Sequence, residues 1–187
     1  MFSLIILVIA VVSCQQNICG NTQIKIFNFD DVIVTDYSGY RSLPRPYNSL
    51  IFKRVNTIHT SYSDNNIPVL NITNNNTLSY YVNAATSSPN LILTTGESLS
   101  IREINNGTFA VLNLKMKSIY INQMNVFINT FRFGNLVSNM TVNLPVNEPI
   151  IVNVNQKQFD EILIGCVDPS FNTCAHITYD DISFCRI

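Results

Sequence analysis

The sequence contains little charge and no basic segment. Asp, Glu, Lys and Arg together make up 12% of the 187 residues, and the formal net charge is −1. A surface that binds nucleic acid needs clustered Lys and Arg to neutralise phosphates, and no such stripe is present. We therefore expect no nucleic-acid partner.

Residues and motifs that support catalysis are also scarce. The chain has two histidines, His59 and His176, and neither lies beside a plausible nucleophile in the sequence. It lacks the Gly-x-Ser-x-Gly, His-Glu-x-x-His and phosphate-loop motifs, and it has no Cys-x-x-Cys pair for zinc. The acidic pair Asp160 and Glu161 leaves a small hydrolase as an alternative, since glycosidases need two carboxyl groups. The sequence favours a protein that is not an enzyme.

Only one long apolar run is present, at Leu4–Val12. It has the length of a signal-peptide core and is too short to span a bilayer. With cleavage next to Cys14, residues 1–14 form the signal peptide and residues 15–187 form a single secreted β-sandwich domain. Val11–Cys14 also fits a bacterial lipoprotein box, in which Cys14 would carry a lipid. No second apolar stretch reaches membrane length, so no membrane span is expected in the mature chain.

The cysteines of the mature chain are even in number, which in a secreted protein indicates disulfides. Once Cys14 is set aside, Cys19, Cys166, Cys174 and Cys185 remain. We predict that Cys19 pairs with Cys185 and ties the chain ends together. Cys166 is predicted to pair with Cys174 and close a short loop. Each bond would stabilise the fold by about 2–4 kcal/mol, chiefly by restricting the unfolded chain.

Asn-x-Thr sequons point to N-glycosylation in the secretory pathway. They begin at Asn71, Asn75, Asn106 and Asn139. The first three lie in polar, turn-like segments. The fourth opens the alternating run Asn139–Leu144, whose period of two puts the sequon on the solvent face of a strand. We therefore predict a glycoprotein.

Short apolar or alternating runs, separated by turns rich in Asn, Ser, Gly or Pro, continue from Ile24 to the end of the chain. This pattern is typical of all-β proteins, and no stretch keeps a helical period. Gly134-Asn135 predicts a hairpin between the long runs on either side of it. We predict a two-sheet antiparallel β-sandwich in which Ile24–Ile33 pairs with His176–Cys185, so that the N- and C-terminal strands are adjacent.

Both predicted terminal strands carry a double aspartate, Asp30-Asp31 in one and Asp180-Asp181 in the other. Successive strand residues point to opposite faces, and the phase of the neighbouring apolar residues turns Asp31 and Asp180 toward the core. Two buried carboxylates repel each other unless they are neutralised, and Ca²⁺ takes oxygen ligands. The four aspartates are therefore candidate ligands of a structural calcium. The alternative is that they cap turns or lie at strand ends in water.

Several short motifs follow one another along the mature chain. They are Phe29–Asp31, Leu43–Tyr47 with Leu50–Phe52, Ala85–Asn90, Phe159–Ile162 and Thr178–Ile182. This order resembles small secreted β-sandwich proteins of microbial eukaryotes that look like carbohydrate-binding modules of the jelly-roll, galactose-binding-like kind. The resemblance implies that fold, a glycan as ligand and a calcium where the terminal strands meet. In one respect the chain departs from it, because such modules usually present a tryptophan to the sugar and this chain has none.

Tyrosines lie in or beside the predicted loops. A tyrosine ring can stack on a sugar while its hydroxyl makes a hydrogen bond, although tyrosine is also an ordinary half-buried sheet residue. We take Tyr37, Tyr40, Tyr47 and Tyr81 as candidate ligand-binding residues. The function predicted from the sequence is a secreted, non-catalytic glycoprotein that binds a glycan. The alternative is a structural or interaction glycoprotein of an extracellular coat or wall, whose partner is another extracellular protein.

Overall fold

The structure, a computed structural model, describes residues 18–32, 40–55, 68–71, 90–94, 97–105, 107–146, 148–167 and 176–187. Strands account for nearly all the regular structure in these ranges. They are β1 (Lys25–Phe27), β2 (Tyr40–Ser42), β3 (Leu50–Val55), β4 (Pro68–Asn71), β5 (Asn90–Thr94), β6 (Ser98–Glu103), β7 (Phe109–Ser118), β8 (Met124–Arg132), β9 (Asn135–Leu144), β10 (Ile150–Phe159), β11 (Glu161–Cys166) and β12 (Ile177–Arg186). Within the described part of the chain, no helix is long and apolar enough to cross a membrane.

The strands form two antiparallel sheets. The larger sheet has seven strands in the order β10-β7-β12-β5-β4-β2, with β1 also paired to β12. The smaller sheet has five strands in the order β3-β6-β11-β8-β9. Apolar side chains from both sheets form one core cluster, to which Ile128 and Ile164 come from the smaller sheet and Met116 and Ile182 from the larger. The predicted all-β, two-sheet antiparallel sandwich is confirmed.

The first and last strands lie side by side, as predicted. Lys25 pairs with Phe184 and Phe27 pairs with Ile182. Along its whole length β12 also pairs with β7, and its first residues pair with β5. The Phe27 and Phe184 rings stack with centroids 4.1 Å apart, so the contact between the chain ends is part of the core.

A disulfide joins Cys19 to Cys185, the pairing predicted for the chain ends, with the two Cα atoms 5.8 Å apart. Both cysteines are buried together with Ala110 and Leu112 of β7. The bond therefore fastens the segment before β1 to the two central strands of the larger sheet. Cys174 lies outside the described residues, so its pairing with Cys166 stays a prediction.

The hairpin between β8 and β9 is also confirmed, with its turn one residue earlier than predicted. The loop residues are Phe133 and Gly134, whose φ angles are 51° and 80°. Two-residue hairpin turns of type I′ need positive φ at both central positions. Phe133 accepts this conformation and remains exposed, since its side chain is 66% accessible.

Removing the disulfide should destabilise the protein without changing its fold. The bond closes a loop with a sequence separation of 166, and the chain-entropy argument gives about 3–5 kcal/mol for a loop of this length. We expect C19S/C185S to lose this free energy of unfolding in a urea titration. Dithiothreitol should lower the midpoint of the wild type by more than that of the double variant, which lacks the Cys19–Cys185 bond. Equal midpoints for the two oxidised proteins would contradict the prediction.

Lys117 on β7 is a largely buried residue, with 4% of its surface exposed. No ion pair of Lys117 is found among the described residues, whereas Lys115 of the same strand pairs with Asp181. Burial lowers the pKa of Lys117 from its usual 10.5, because desolvation disfavours the ammonium form. At neutral pH the folded protein therefore holds a charge at a cost in stability.

Lys117→Met should stabilise the protein, because it removes this charge and keeps a long flexible side chain. We expect the melting temperature at neutral pH to rise by about 2–4 °C, the shift that 1 kcal/mol produces in a domain of this size. Between the lowered pKa and 10.5 the unfolded wild type binds more protons than the folded form. Its stability therefore rises with pH in that window, and the advantage of the variant shrinks.

Lys115→Met is the matched control and should lower the melting temperature, since it leaves Asp181 without its cation. A lower melting temperature for Lys117→Met would contradict this account.

Candidate ligand-binding face

The first aspartate pair lies in a turn that follows β1. Asp30 and Asp31 are both exposed, so the prediction that Asp31 faces the core is wrong. The reason is local, because β1 ends at Phe27 and Phe29 has a φ of 60°, which breaks the alternation of a strand before Asp31 is reached. Asn28 Nδ2 donates a hydrogen bond to Asp30 Oδ2 at 2.9 Å. The Asp31 carboxylate accepts a hydrogen bond from the Tyr47 hydroxyl.

The second pair lies inside β12. Asp180 is buried, with 1% exposed, but it does not face the core as predicted, because its neighbour Tyr179 belongs to the core cluster and successive strand residues point to opposite faces. Its Oδ1 accepts a hydrogen bond from the Asp181 backbone N–H at 2.8 Å. Asp181 has a φ of 45° at an irregularity in the β12–β7 ladder, and its carboxylate pairs with the Lys115 ammonium. Protein groups therefore hold both carboxylates in place.

The four aspartates do not form a recognisable metal cluster. Across the described ranges, no group of three or more His, Cys, Asp or Glu side chains is arranged to hold a metal ion. Calcium can also take backbone and amide oxygens, so its presence is decided by a binding measurement. The calcium site stays a prediction.

Tyr47 is a core residue and not part of an exposed sugar platform. It is 6% exposed, and its ring contacts Phe27, Phe29 and Phe52 at centroid distances of 5.4, 5.7 and 6.0 Å. Burial, then the hydrogen bond and charge of Asp31, raise the pKa of its hydroxyl well above the usual value. The Tyr47 ring is therefore not exposed for stacking on a sugar, and ligand binding by Tyr47 stays a prediction without support from its position. Tyr40 begins β2, and Tyr37 and Tyr81 lie outside the described residues.

A different surface combines aromatic and polar side chains, on the side of the smaller sheet that faces away from the core. The core-facing residues of β8 are Met124, Val126 and Ile128, so the residues between them point outward. The same alternation applies to β6 and β11. The outward side chains of these three strands define the Phe127 face: Ser100, Arg102, Glu161, Leu163, Asn125, Phe127, Asn129 and Phe131.

Phe127 is fixed on this face by a close approach to Gly165 of the neighbouring strand. The two residues are paired across β8 and β11. A Cβ added to Gly165 would lie 2.8 Å from Phe127 Cζ and 2.1 Å from Ser98 Oγ, so no larger side chain fits there. The ring of Phe127 remains partly exposed and rests against the backbone of β11. It is thus held in position before any ligand arrives.

Polar groups on the face include one hydrogen-bonded cluster and one buried acceptor. Glu161 accepts a hydrogen bond from Ser100 Oγ at 2.7 Å, and Arg102 Nε lies 3.6 Å from its other oxygen. The Arg102 side chain is 52% exposed, so its guanidinium can also contact a ligand. Asn129 Oδ1 is buried and has no hydrogen-bond partner in the described part of the structure. An unpaired buried acceptor is costly, so a rotation of the Asn129 side chain that brought Oδ1 to an external donor would be favourable.

The exposed residues of β9 border the Phe127 face. Asn139, Thr141 and Asn143 are exposed, as the alternation in the sequence predicted. Asn143 Nδ2 donates to Asn125 Oδ1 at 3.0 Å, which links the border to the face. Of the other sequons, Asn71 ends β4, whereas Asn75 and Asn106 lie outside the described residues. Glycosylation of all four stays a prediction.

The sequence did not reveal the Phe127 face, although a signal was present. In Asn125–Phe131 one set of alternating residues is Asn, Phe, Asn, Phe and the other is Val, Ile, Thr. Both sets contain apolar residues, so alternation alone did not decide which set is buried. The amide groups were the informative residues, since two Asn side chains on the core face would need buried partners.

Comparison with known proteins gives limited similarity. The sequence matches no family model and no curated protein. Among solved structures, CBM29_1, a family 29 carbohydrate-binding module from Piromyces equi, has 14% identity and a TM-score of 0.42, covering 88% of this chain and 91% of its own. The arabinose-bound α-L-arabinofuranosidase MgGH51 has 8% identity and a TM-score of 0.42, covering 73% of this chain and 23% of its own. The enzymatically active domain of tailspike protein 4 of bacteriophage CBA120 has 11% identity and a TM-score of 0.34, covering 74% and 19%. At these values the likenesses carry no argument about function.

Gly165→Ala should disturb the Phe127 face and destabilise the sheet, because the added methyl group must displace Ser98 or the Phe127 ring. We expect a loss of about 1–3 kcal/mol in the free energy of unfolding, measured by urea titration. Gly107→Ala is the matched control, since its Cβ would meet only the Glu103 side chain, and no closer than 3.2 Å. Equal losses for the two variants would show that Gly165 is not a tight contact.

Proposed function

We propose that this chain is a secreted, non-catalytic module that binds a glycan through the Phe127 face. The observation that carries the proposal is the pair of partly exposed rings, Phe127 and Phe131, on one side of β8, with the Asn129 side chain between them. The apolar C–H side of a sugar packs on an aromatic ring, while its hydroxyl groups need donors and acceptors around it. Asn side chains supply both.

The spacing of the rings favours an oligosaccharide over a single sugar. Phe127 and Phe131 are four positions apart on one strand, so the rise per residue separates their Cα atoms by about 13 Å. That distance exceeds the width of one sugar ring. Asn129 and the Arg102–Glu161 pair lie between or beside the rings. An extended chain of sugars can therefore contact both rings and the polar groups at once.

The polar groups of the face support binding and not hydrolysis. Glycosidases place two carboxyl groups about 5–10 Å apart around the bond they cleave. Within the Phe127 face as defined, Glu161 is the single carboxylate, and it is held by Ser100 and Arg102. His176, away from this face, packs edge-on against Tyr120 with ring centroids 5.0 Å apart. Burial lowers its pKa, which favours the neutral form.

Secretion and glycosylation are part of the proposal. The disulfide supports an oxidising compartment, and the apolar run at the start of the chain and the sequons agree with it. A calcium ion is not required by the proposal, since none of the four candidate aspartates belongs to the Phe127 face.

A second function has one observation in its favour. Among the described strands, β9 is the outermost strand of the smaller sheet, and its Leu136 and Val137 are 56% and 49% exposed. Exposed apolar residues on a free edge are typical of protein contacts. The alternative is therefore an extracellular protein partner that pairs with β9, as in a structural glycoprotein.

Phe127→Ala and Phe131→Ala should each weaken glycan binding by about tenfold or more, because loss of a central aromatic contact costs more than 1 kcal/mol. The measurement is an array of cello-, xylo- and manno-oligosaccharides, followed by calorimetry on the strongest of them. Protein from the bacterial periplasm is used, where disulfides form and Asn is not glycosylated.

Tyr120→Ala is the matched control, since Tyr120 is an aromatic residue that is 49% exposed and lies away from the Phe127 face. It should leave binding unchanged, and all variants should show wild-type circular dichroism. Binding that survives both Phe substitutions would refute the proposed face. A silent array would shift support to the protein-binding alternative.

A further inference from the structure

The sequon at Asn139 is open to modification in the folded chain. Asn139 and Thr141 are both exposed on β9, on the outward side of the smaller sheet. Met140 between them packs against the core cluster. The two residues that define the sequon thus point in one direction, which is the direction of the Phe127 face.

The strand register places this sequon directly against the face. Asn139 is paired with Asn129, and Thr141 is paired with Phe127. The Cβ atoms of directly opposed residues in an antiparallel pair are about 4.5–5.5 Å apart. A sugar linked to Asn139 Nδ2 therefore starts within one side-chain length of Phe127 and Asn129.

The chemistry of the two neighbours suits an attached N-acetylhexosamine. Asn129 Oδ1 is a buried acceptor without a partner in the described residues, and the acetamido N–H or a hydroxyl of the sugar is a donor. The partly exposed Phe127 ring offers an apolar surface to the C–H side of the same sugar. A sugar in this position would occupy the Phe127 ring and the Asn129 side chain, which an external glycan would also need to contact.

We propose that Asn139 carries an N-linked glycan whose first sugars pack on Phe127 and Asn129 and close the Phe127 face to other glycans. The inference rests on the proposed function of this face and adds its regulation. Occupancy of Asn139 sets whether the face is closed by the chain's own glycan or open to an external oligosaccharide.

The test compares Thr141→Ala with Thr141→Ser, because Ala abolishes the sequon and Ser preserves it at the same position. Both variants, Asn139→Gln and the wild type are secreted from eukaryotic cells, and occupancy of Asn139 is measured by mass spectrometry of the peptide. On the oligosaccharide array used above, Thr141→Ala and Asn139→Gln should bind about tenfold or more tightly than the wild type and Thr141→Ser. All four proteins should bind equally when made in the bacterial periplasm. An unmodified Asn139 in the secreted wild type, or equal binding by the glycosylated and unglycosylated forms, would overturn the inference.

A second measurement is independent of any external ligand. In protein secreted from eukaryotic cells, Asn139→Gln should lower the melting temperature by about 2 °C in the wild-type background and by less in the Phe127→Ala background. Additive effects of the two substitutions would show that the attached glycan does not touch Phe127, and would overturn the inference. If unglycosylated protein binds nothing on the array, the proposed function fails. The comparison of melting temperatures in the two backgrounds still decides whether the glycan packs on the Phe127 face.

Discussion

The larger sheet depends on the pairing of β12 with β7, β5 and β1. The last strand of the chain is thus a central strand, and the first strand is paired to it. The sheet cannot be completed until residues more than a hundred positions apart have met, a topology that favours slow folding. The Cys19–Cys185 bond acts on this step, since it holds the two ends together in the unfolded chain. The Phe27–Phe184 stack then buries the junction.

Much of this architecture follows from local pattern. The alternation in β8 and β9 and the glycine at their turn predicted the hairpin, and the matching β-rich ends predicted the β1–β12 pairing. The same reasoning failed at Asp31, where alternation was extended past the end of the strand. Positive φ angles at Phe29 and Asp181 mark places where the backbone departs from a regular strand. Neither residue is a glycine, so the sequence carries no sign of the departure.

The candidate site was harder to predict, and two side chains show why. Tyr47 lies after a segment with two prolines, which suggested a solvated loop, yet it forms a two-residue turn with Leu50 that points its ring into the core. Phe127 lies in a run whose two alternating sets both contain apolar residues, so the sequence did not decide its direction, and in the structure it points outward beside Gly165. Whether an aromatic ring is exposed depends on the space that the residues of the paired strand leave for it. That information is contained in long-range pairing and not in the local sequence.

The border strand β9 connects the Phe127 face to the edge of the smaller sheet. Its sequence, Asn135–Leu144, contains no charged residue and no proline, the devices that usually protect a free sheet edge. Its polarity comes instead from Asn, Ser and Thr, and the sequon lies near its centre. A glycan on Asn139 would shield this edge as a charge does in other proteins, and through the register with β8 the same glycan would reach Phe127. The proposed glycan would therefore couple the protection of the edge to the closing of the face, because a strand that carried a bulky sugar beside an aromatic face could not present either surface freely. A form of the protein that opens the face to an external glycan also exposes the edge to another strand.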